Sequence, residues 1–350
     1  MAGELTEREK TVLQYVVRDF IETATPVGSR YISRRHGDHL GLSPASIRNV
    51  LSDLEDLGFI NHPHTSAGRI PTDRGYRFYL DSLMKRESPS EAELDAIRRN
   101  LGATEETDAL LRETSRLLGR ISHQLFVVTS PRLSSGTLEK LELIQIMANR
   151  IIVILSIKSG PVRTIMMEVA SEIPRGKLED LARFLNERLS GLTLQQIRET
   201  FLERVRDAQN EETGLIRLFI DSVDKLFLPE RTGRIHIGGA DKIIEQPEFV
   251  NAQDFRSVIE LINDEEMIIH VLQKIEGKPH EVNVRVGEEN EDEKLKPYSI
   301  ITSTYTIGEV PGSIGVIGPK RMPYARMIPL VDYVAQMISE MFDATTKRTP

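Results

Sequence analysis

The sequence contains no cysteine and no tryptophan. Disulfides, thiol nucleophiles and cysteine-ligated zinc sites are therefore excluded. No apolar run approaches the ~18 residues that a membrane-crossing helix needs, and the opening Met-Ala-Gly-Glu-Leu-Thr lacks the basic-then-apolar pattern of a signal peptide. A cytoplasmic location without membrane contact is expected. Catalytic signatures are also missing: neither a Gly-x-Ser-x-Gly elbow nor a His-Glu-x-x-His pair occurs. The glycines between Gly312 and Gly318 have the wrong spacing for a nucleotide fingerprint and sit inside a strand pattern, so they read as structural. His36 with His39, and His62 with His64, have no carboxylate cluster at ligand spacing. No enzyme, metal or other cofactor is expected.

What is present is unevenly distributed. The 350 residues are enough for two or three domains, and their net charge is −8. Residues 1–86 hold 12 Lys+Arg against 11 Asp+Glu, whereas the remainder holds 33 against 42. A near-neutral N-terminal region with basic edges binds phosphate weakly alone. Two copies held side by side bind far better, because the second docks at high effective concentration. The charge distribution thus argues for a dimer.

Residues 42–79 predict a capped helix, a short strand, a polar hairpin tip and a return strand, the arrangement of a winged helix-turn-helix. Ser43 suits an N-cap and Pro44 the first helical position. Ile47, Val50, Leu51 and Leu54 fall on one face, and Gly58 closes the helix. The opposite face carries Ala45, Arg48, Asn49 and Ser52. Arg and Asn make bidentate contacts to guanine and adenine edges, so Arg48 and Asn49 are the leading base readers, with Ser43, Ser46 and Ser52 beside them. Upstream, Thr6 and Glu9 form a capping box, and Val12, Leu13, Val16, Val17, Phe20 and Ile21 make a core stripe. Thr25-Pro26-Val27-Gly28 breaks this helix, and Ser29 is expected to cap a second, short one carrying Arg34 and Arg35. The wing tip comprises His62, Pro63, His64, Thr65, Ser66, Ala67, Gly68 and Arg69. Here Gly68 is expected to take a positive φ, and Arg69 to reach a phosphate or the minor groove. An amphipathic bundle with a hairpin explains the apolar stripes equally well. It does not explain outward faces that carry Arg34, Arg35, Arg48, His62, His64 and Arg69 yet no acids. Tyr76 and Tyr79 read as packing residues.

The run Asn49-Val50-Leu51-Ser52-Asp53-Leu54-Glu55, followed by His64-Thr65-Ser66-Ala67-Gly68-Arg69-Ile70-Pro71-Thr72-Asp73-Arg74-Gly75-Tyr76-Arg77, resembles the signature of the HrcA family of bacterial heat-inducible transcription repressors. The start, Leu5-Thr6-Glu7-Arg8, and the stretch Gly315-Val316-Ile317-Gly318-Pro319-Lys320-Arg321-Met322-Pro323-Tyr324 are also similar to that family. The likeness is strongest at the N-terminus and weakest over 172–280. It implies a GAF-like domain carrying an inserted dimerising domain, an inverted-repeat operator upstream of chaperone genes, and activity set by the repressor's own foldedness with help from the GroE chaperonin.

Downstream, Thr72 can cap a helix, and the polar segment Lys85 to Ser90 leads into a second capping box, Ser90 with Glu93. Helical periodicity covers 91–101 and 107–123. Strand patterns follow at Leu125–Thr129, Leu141–Met147, Ile151–Ile157 and Val162–Val169. Helices are expected at 176–189, 193–207, 212–227 and 252–263, with strand-like pieces at Arg234–Ile237 and Lys242–Ile244. Strands return at Val282–Val286, Ser299–Thr306 and Ser313–Ile317, before a closing helix at Met327–Phe342. Glu288 to Glu293 reads as a solvated acidic loop. Strands on both sides of a helical block indicate an α+β domain interrupted by an insertion. The expected division is a DNA-binding domain at 1–86, a linker at 87–93, a discontinuous GAF-like domain at 94–171 and 251–345, and an inserted dimerising domain at 172–250.

The resulting expectation is a homodimeric repressor on double-stranded DNA. Two alternatives stay open: a winged-helix regulator controlled by a metabolite in the GAF-like body, and a scaffold whose winged helix contacts protein.

Overall fold

The computed structural model describes residues 5–63, 67–101, 107–158, 160, 162–170, 172–208, 214–227, 235–273 and 280–346. Three helices open the chain: α1 (Glu7–Thr23), α2 (Ser29–Leu40) and α3 (Pro44–Asp56). A two-stranded hairpin of β1 (Ile60–Asn61) and β2 (Ile70–Pro71) follows, then α4 (Asp73–Phe78), which runs on as a single π turn over Tyr79–Leu83. The Thr6–Glu9 capping box and the Ser43 and Thr72 caps form as the sequence predicts. Ser29 does not cap α2: Gly28 occupies the N-cap position and Ser29 is the first helical residue. The cause lies in the connector, where Val27 exchanges two 2.8 Å backbone hydrogen bonds with Arg69 and fixes an extended path up to Gly28.

The body begins with α5 (Glu91–Leu101), α6 (Thr107–Ser122) and β3 (Leu125–Thr129). The chain then builds β4 (Leu138–Met147), β5 (Arg150–Ile157), β6 (Val162–Glu168), α7 (Arg175–Leu189), α8 (Leu194–Arg204), α9 (Leu215–Asp221) and α10 (Val223–Phe227). It returns through β7 (Ile235–Gly238), α11 (Ala240–Ile243), α12 (Ala252–Asn263), α13 (Glu265–Gln273), β8 (Asn283–Val286), β9 (Tyr298–Ile307) and β10 (Val310–Pro319), and closes with α14 (Tyr324–Thr346). Mixed helices and antiparallel sheets make this an α+β protein.

Five strands form one antiparallel sheet in the order β7-β3-β10-β9-β8. Both faces are buried, as alternation along the strands requires. Phe126, Val128, Ile301 and Val316 face α6 and α14, whereas Leu125, Val127, Ile300 and Ile317 face α12 and α13. A separate three-stranded sheet, β4-β5-β6, packs Ile151, Val153, Leu155 and Ile165 against Leu181, Leu185, Ile197 and Phe201 of α7 and α8.

These cores redraw the expected division. Strands β3 and β7 are hydrogen-bonded neighbours, and everything from β4 to α10 lies between them in sequence and supplies nearly all of a second core. The block sharing this core therefore runs from 138 to 227, not 172 to 250, and Leu133 and Val310 of the body pack into it. Three strands assigned in advance to the body belong to the block, and the segment from β7 to α11 belongs to the body. The strand-like piece at Lys242–Ile244 is mostly the short helix α11. Gly239, at φ +82 and tight against the Gln124 carbonyl, turns the chain into it.

Residues 87–93 are not a free linker. The Glu87 amide donates to Ala325 at 2.8 Å. Ser90 caps α5 with Glu93, and Arg326 of α14 donates to the Glu93 carboxylate at 3.0 Å.

Candidate nucleic-acid interface

Helix α3 buries Ile47, Val50, Leu51 and Leu54 against α1 and α2. Burial of that stripe turns Ala45, Arg48, Asn49 and Ser52 outward, and all four are exposed. Ser43 is occupied as the cap, accepting from the Ser46 amide at 3.1 Å and sharing a 3.0 Å contact with the Ser46 hydroxyl. Arg34 on α2 is exposed too, and neither Arg34 nor Arg48 has an acidic partner among the described residues. Arg34, Arg48 and Asn49 thus offer charge and hydrogen-bonding capacity to solvent.

Two other arginines named in advance are engaged by partners within the protein. Arg35 donates to the Tyr31 hydroxyl at 2.6 Å and to Glu22 at 2.5 Å, and sits 3.6 Å from the fully buried Asp19. Those contacts, the Tyr31 hydrogen bond foremost, hold its guanidinium above its ordinary pKa. Arg69 pairs with Glu55 of α3 at 2.6 Å, and Glu55 also contacts His62 at the other side of the hairpin. One carboxylate therefore ties both arms of the hairpin to α3. Glu55 lies in the last turn of α3, and the sequence could not show this role, because His62 and Arg69 come within reach only once the hairpin folds back.

Gly68 does not adopt a positive φ. It is glycine for another reason: a Cβ there would lie 2.6 Å from the Pro26 carbonyl and 2.7 Å from the Val27 carbonyl carbon. The hairpin presses against the α1–α2 connector at that point. His64, Thr65 and Ser66 lie outside the described residues.

Sequence reasoning also missed Asp19 and His36. Asp19 is fully buried and His36 nearly so, with Nε2 at 2.9 and 3.1 Å from the two carboxylate oxygens. The His36 ring stacks on Tyr15 with centroids 3.9 Å apart. This pair fastens α2 to α1 beneath the outward arginines. Its only sequence signal is a polar residue on each apolar stripe.

The N-terminal unit is held firmly by the body. Arg77 donates at 2.7 Å to Glu289 and at 2.7 Å to the Val284 carbonyl. The amide of Glu288 donates to Asp73 at 2.9 Å. Gly287, at φ +58, has no room for a Cβ, which would sit 1.9 Å from the Asp73 carboxylate. Tyr76 is buried against Tyr324 of α14, ring centroids 6.1 Å apart, and burial raises the pKa of both phenols. The acidic stretch expected to be a solvated loop is in part a docking element. Composition alone cannot separate the two, since Arg77, the cation that Glu289 meets, lies 212 residues away in sequence.

The model of the HrcA protein C-terminal domain matches residues 108–328. A heat-inducible transcription repressor HrcA from Chlorobium phaeobacteroides (strain BS1) is 39% identical, the match covering 97% of this chain and 99% of that protein. The repressor of the same name from Chlorobaculum parvum is 41% identical, covering 96% and 97%. Among solved structures, the crystal structure of a hypothetical protein at 2.2 Å resolution shares 25% identity over 98% of this chain and all of that one, with a TM-score of 0.59. The chain belongs to the HrcA family.

Proposed function

We propose that the protein is a DNA-binding transcriptional repressor of heat-shock operons that engages an inverted-repeat operator as a homodimer. In this reading the first three helices and the hairpin are a winged helix-turn-helix, with α3 in the major groove. The observation that carries it is the pair Arg48 and Asn49, adjacent, exposed and turned outward by the buried stripe of α3. Asn49 presents the amide that matches adenine, and Arg48 the fork that matches guanine. Arg34 extends the same charge along α2. His64, Thr65 and Ser66 complete the wing in this proposal. Arg35, Ser43 and Arg69 support the reading surface from behind more than they touch DNA, since each already has a partner in the protein.

The dimer reading rests on the block from 138 to 227. Its sheet buries one face and leaves apolar residues on the other. Ile144, Ile152 and Met166 stand opposite one another across the three strands, and Ile144 is 46% and Met166 51% exposed. Val162 is 63% exposed on the same face. Contiguous apolar surface of this kind marks association, and a second copy would hold two reading helices at a set separation. The five-stranded sheet with its covering helices is the GAF-like body in this scheme. Control of repression by heat is supported by the likeness to heat-inducible repressors, and dependence on the GroE chaperonin is a further part of this proposal.

A gel shift of the full chain on the DNA upstream of its own gene, read against a salt titration, tests the reading. Specific retention that weakens linearly on a logarithmic salt scale supports it. Retention no better than on unrelated duplex of equal length rejects it. Sedimentation of the same chain gives the oligomeric state.

A further inference from the structure

Arg321 sits just beyond β10, and its side chain is 12% exposed. One end of its guanidinium is held by the segment that follows α11. Nε and Nη2 donate to the two carboxylate oxygens of Glu248, Nη2 at 3.1 Å, and Nη2 also donates to Gln246 Oε1 at 2.7 Å. That segment is itself anchored. Gln246 Nε2 donates to the His123 carbonyl at 2.9 Å, and the buried Phe249 stacks on Tyr298 with ring centroids 5.9 Å apart. From this base Arg321 Nη1 reaches the N-terminal unit and donates to the Ile21 carbonyl at 3.2 Å. Ile21 lies in the last turn of α1, where a carbonyl has no partner within the helix and where α1 supplies no basic residue of its own. A cation at that end also complements the helix dipole.

Asp73 and Arg77, which carry the polar contacts described above, both belong to α4. A rigid unit fastened along one short helix can pivot about it. A second fastening, on a different helix, removes that freedom. Helix α1 packs on α3 through the buried stripe of each, so the end of α1 and the outward face of α3 move together. We propose that Arg321 is a positioning residue for operator recognition: it sets the angle at which α1 and α3 leave the body, and thereby the separation of the two reading helices in the dimer. The inference rests on the reading of the chain as a DNA-binding dimer. Gln246 and Glu248 lie on the stretch that leads back from the block at 138–227 through β7 and α11. The same guanidinium therefore ties the return path from that block to the unit that carries Arg48 and Asn49.

The test is fluorescence anisotropy of the full chain on three duplexes: the inverted repeat that the parent chain protects from nuclease upstream of its own gene, the same repeat with two base pairs inserted between its halves, and one half alone. The insertion turns one half-site by about 70° and moves it about 7 Å. The parent chain should lose about tenfold or more in affinity on insertion, because the second docking is forfeited when the geometry forbids it. Arg321→Lys keeps the charge but lacks the fork that meets Ile21, Gln246 and Glu248 together. It should bind the native repeat about tenfold more weakly, lose less than about threefold on insertion, and bind the half-site as the parent does. Glu248→Ala, which frees the guanidinium at its anchored end, should shift the three affinities in the same sense. Variants that keep the parent's preference for native spacing overturn the proposal. So does an equal loss on all three duplexes, which a merely structural role would give, or a parent chain that binds specifically yet is indifferent to the insertion. A parent chain that binds none of the duplexes specifically rejects the DNA reading itself, and this inference with it.

Discussion

Lys320 and Asp73 lie 247 residues apart in sequence, yet the Lys320 ammonium sits 2.7 and 2.9 Å from the two carboxylate oxygens of Asp73. The same carboxylate accepts the Glu288 amide, and Asp73 opens helix α4, where an acid also complements the helix dipole. Three segments, one from the N-terminal unit and two from the body, meet on one side chain. The N-terminal helices are thereby oriented by the body and not carried on a flexible tether.

Asp73→Ala is expected to loosen this junction more than Lys320→Met does. Removing the carboxylate strips the Glu288 amide of its acceptor and costs about 1–3 kcal/mol. Removing the ammonium breaks a partly exposed ion pair worth at most about 1 kcal/mol. Chemical denaturation gives both numbers, and limited proteolysis between residues 84 and 90 should be faster in Asp73→Ala. Equal protection of the two variants would show that apolar packing around Tyr76 and Tyr324 holds the junction unaided.

Arg48→Ala and Asn49→Ala should each weaken binding to the operator by about 1–3 kcal/mol while leaving the melting temperature unchanged, because both side chains are exposed and touch no core. Fluorescence anisotropy on operator and scrambled duplexes measures the difference. Losses confined to a few tenths of a kcal/mol would move base readout to another surface.

Glu55→Ala should act differently. Freed from their shared carboxylate, Arg69 and His62 become available to phosphate, so affinity for arbitrary duplex rises and its salt slope steepens. Discrimination in favour of the operator should fall, because the wing is no longer fixed against α3. A variant with unaltered salt slope would mean that the clamp has no bearing on DNA.

His36→Leu should destabilise the chain by about 1–3 kcal/mol, the cost of leaving a buried acceptor without its hydrogen-bond donor. Asp19 would be left fully buried, with the Arg35 guanidinium at 3.6 Å as its remaining side-chain partner among the described residues. Paired replacement, Asp19→Leu with His36→Leu, should recover most of the loss. Thermal denaturation of the single and double variants decides between this account and one in which His36 matters only through stacking on Tyr15.

Ile144→Lys combined with Met166→Lys should turn a dimer into a monomer, since it places like charges on the apolar row of the β4–β6 sheet. Sedimentation velocity reads the outcome. A dimer that survives both charges would place self-association elsewhere.

Local signals explain what was legible in advance. Thr6, Ser43, Thr72 and Ser90 each cap a helix start through a neighbour only three residues on, so short-range chemistry sufficed. The apolar stripe of α3 fixed which side chains face outward, because a period of 3.6 residues decides that before any packing. Boundaries set by long-range pairing were not legible. The pairing of β3 with β7 defines where the block from 138 to 227 begins and ends, yet no single strand reveals its partner. Likewise, Arg35, Arg69 and Glu289 look like ordinary surface charges in the sequence. Only tertiary structure brought Glu22 to Arg35, Glu55 to Arg69 and Arg77 to Glu289, because an ion pair depends on distance in space. The sequence by itself determined most of the longer helices, the caps at Thr6, Ser43, Thr72 and Ser90, and the outward face of α3. The folded chain decided which charges are spent inside the protein and which remain for a partner.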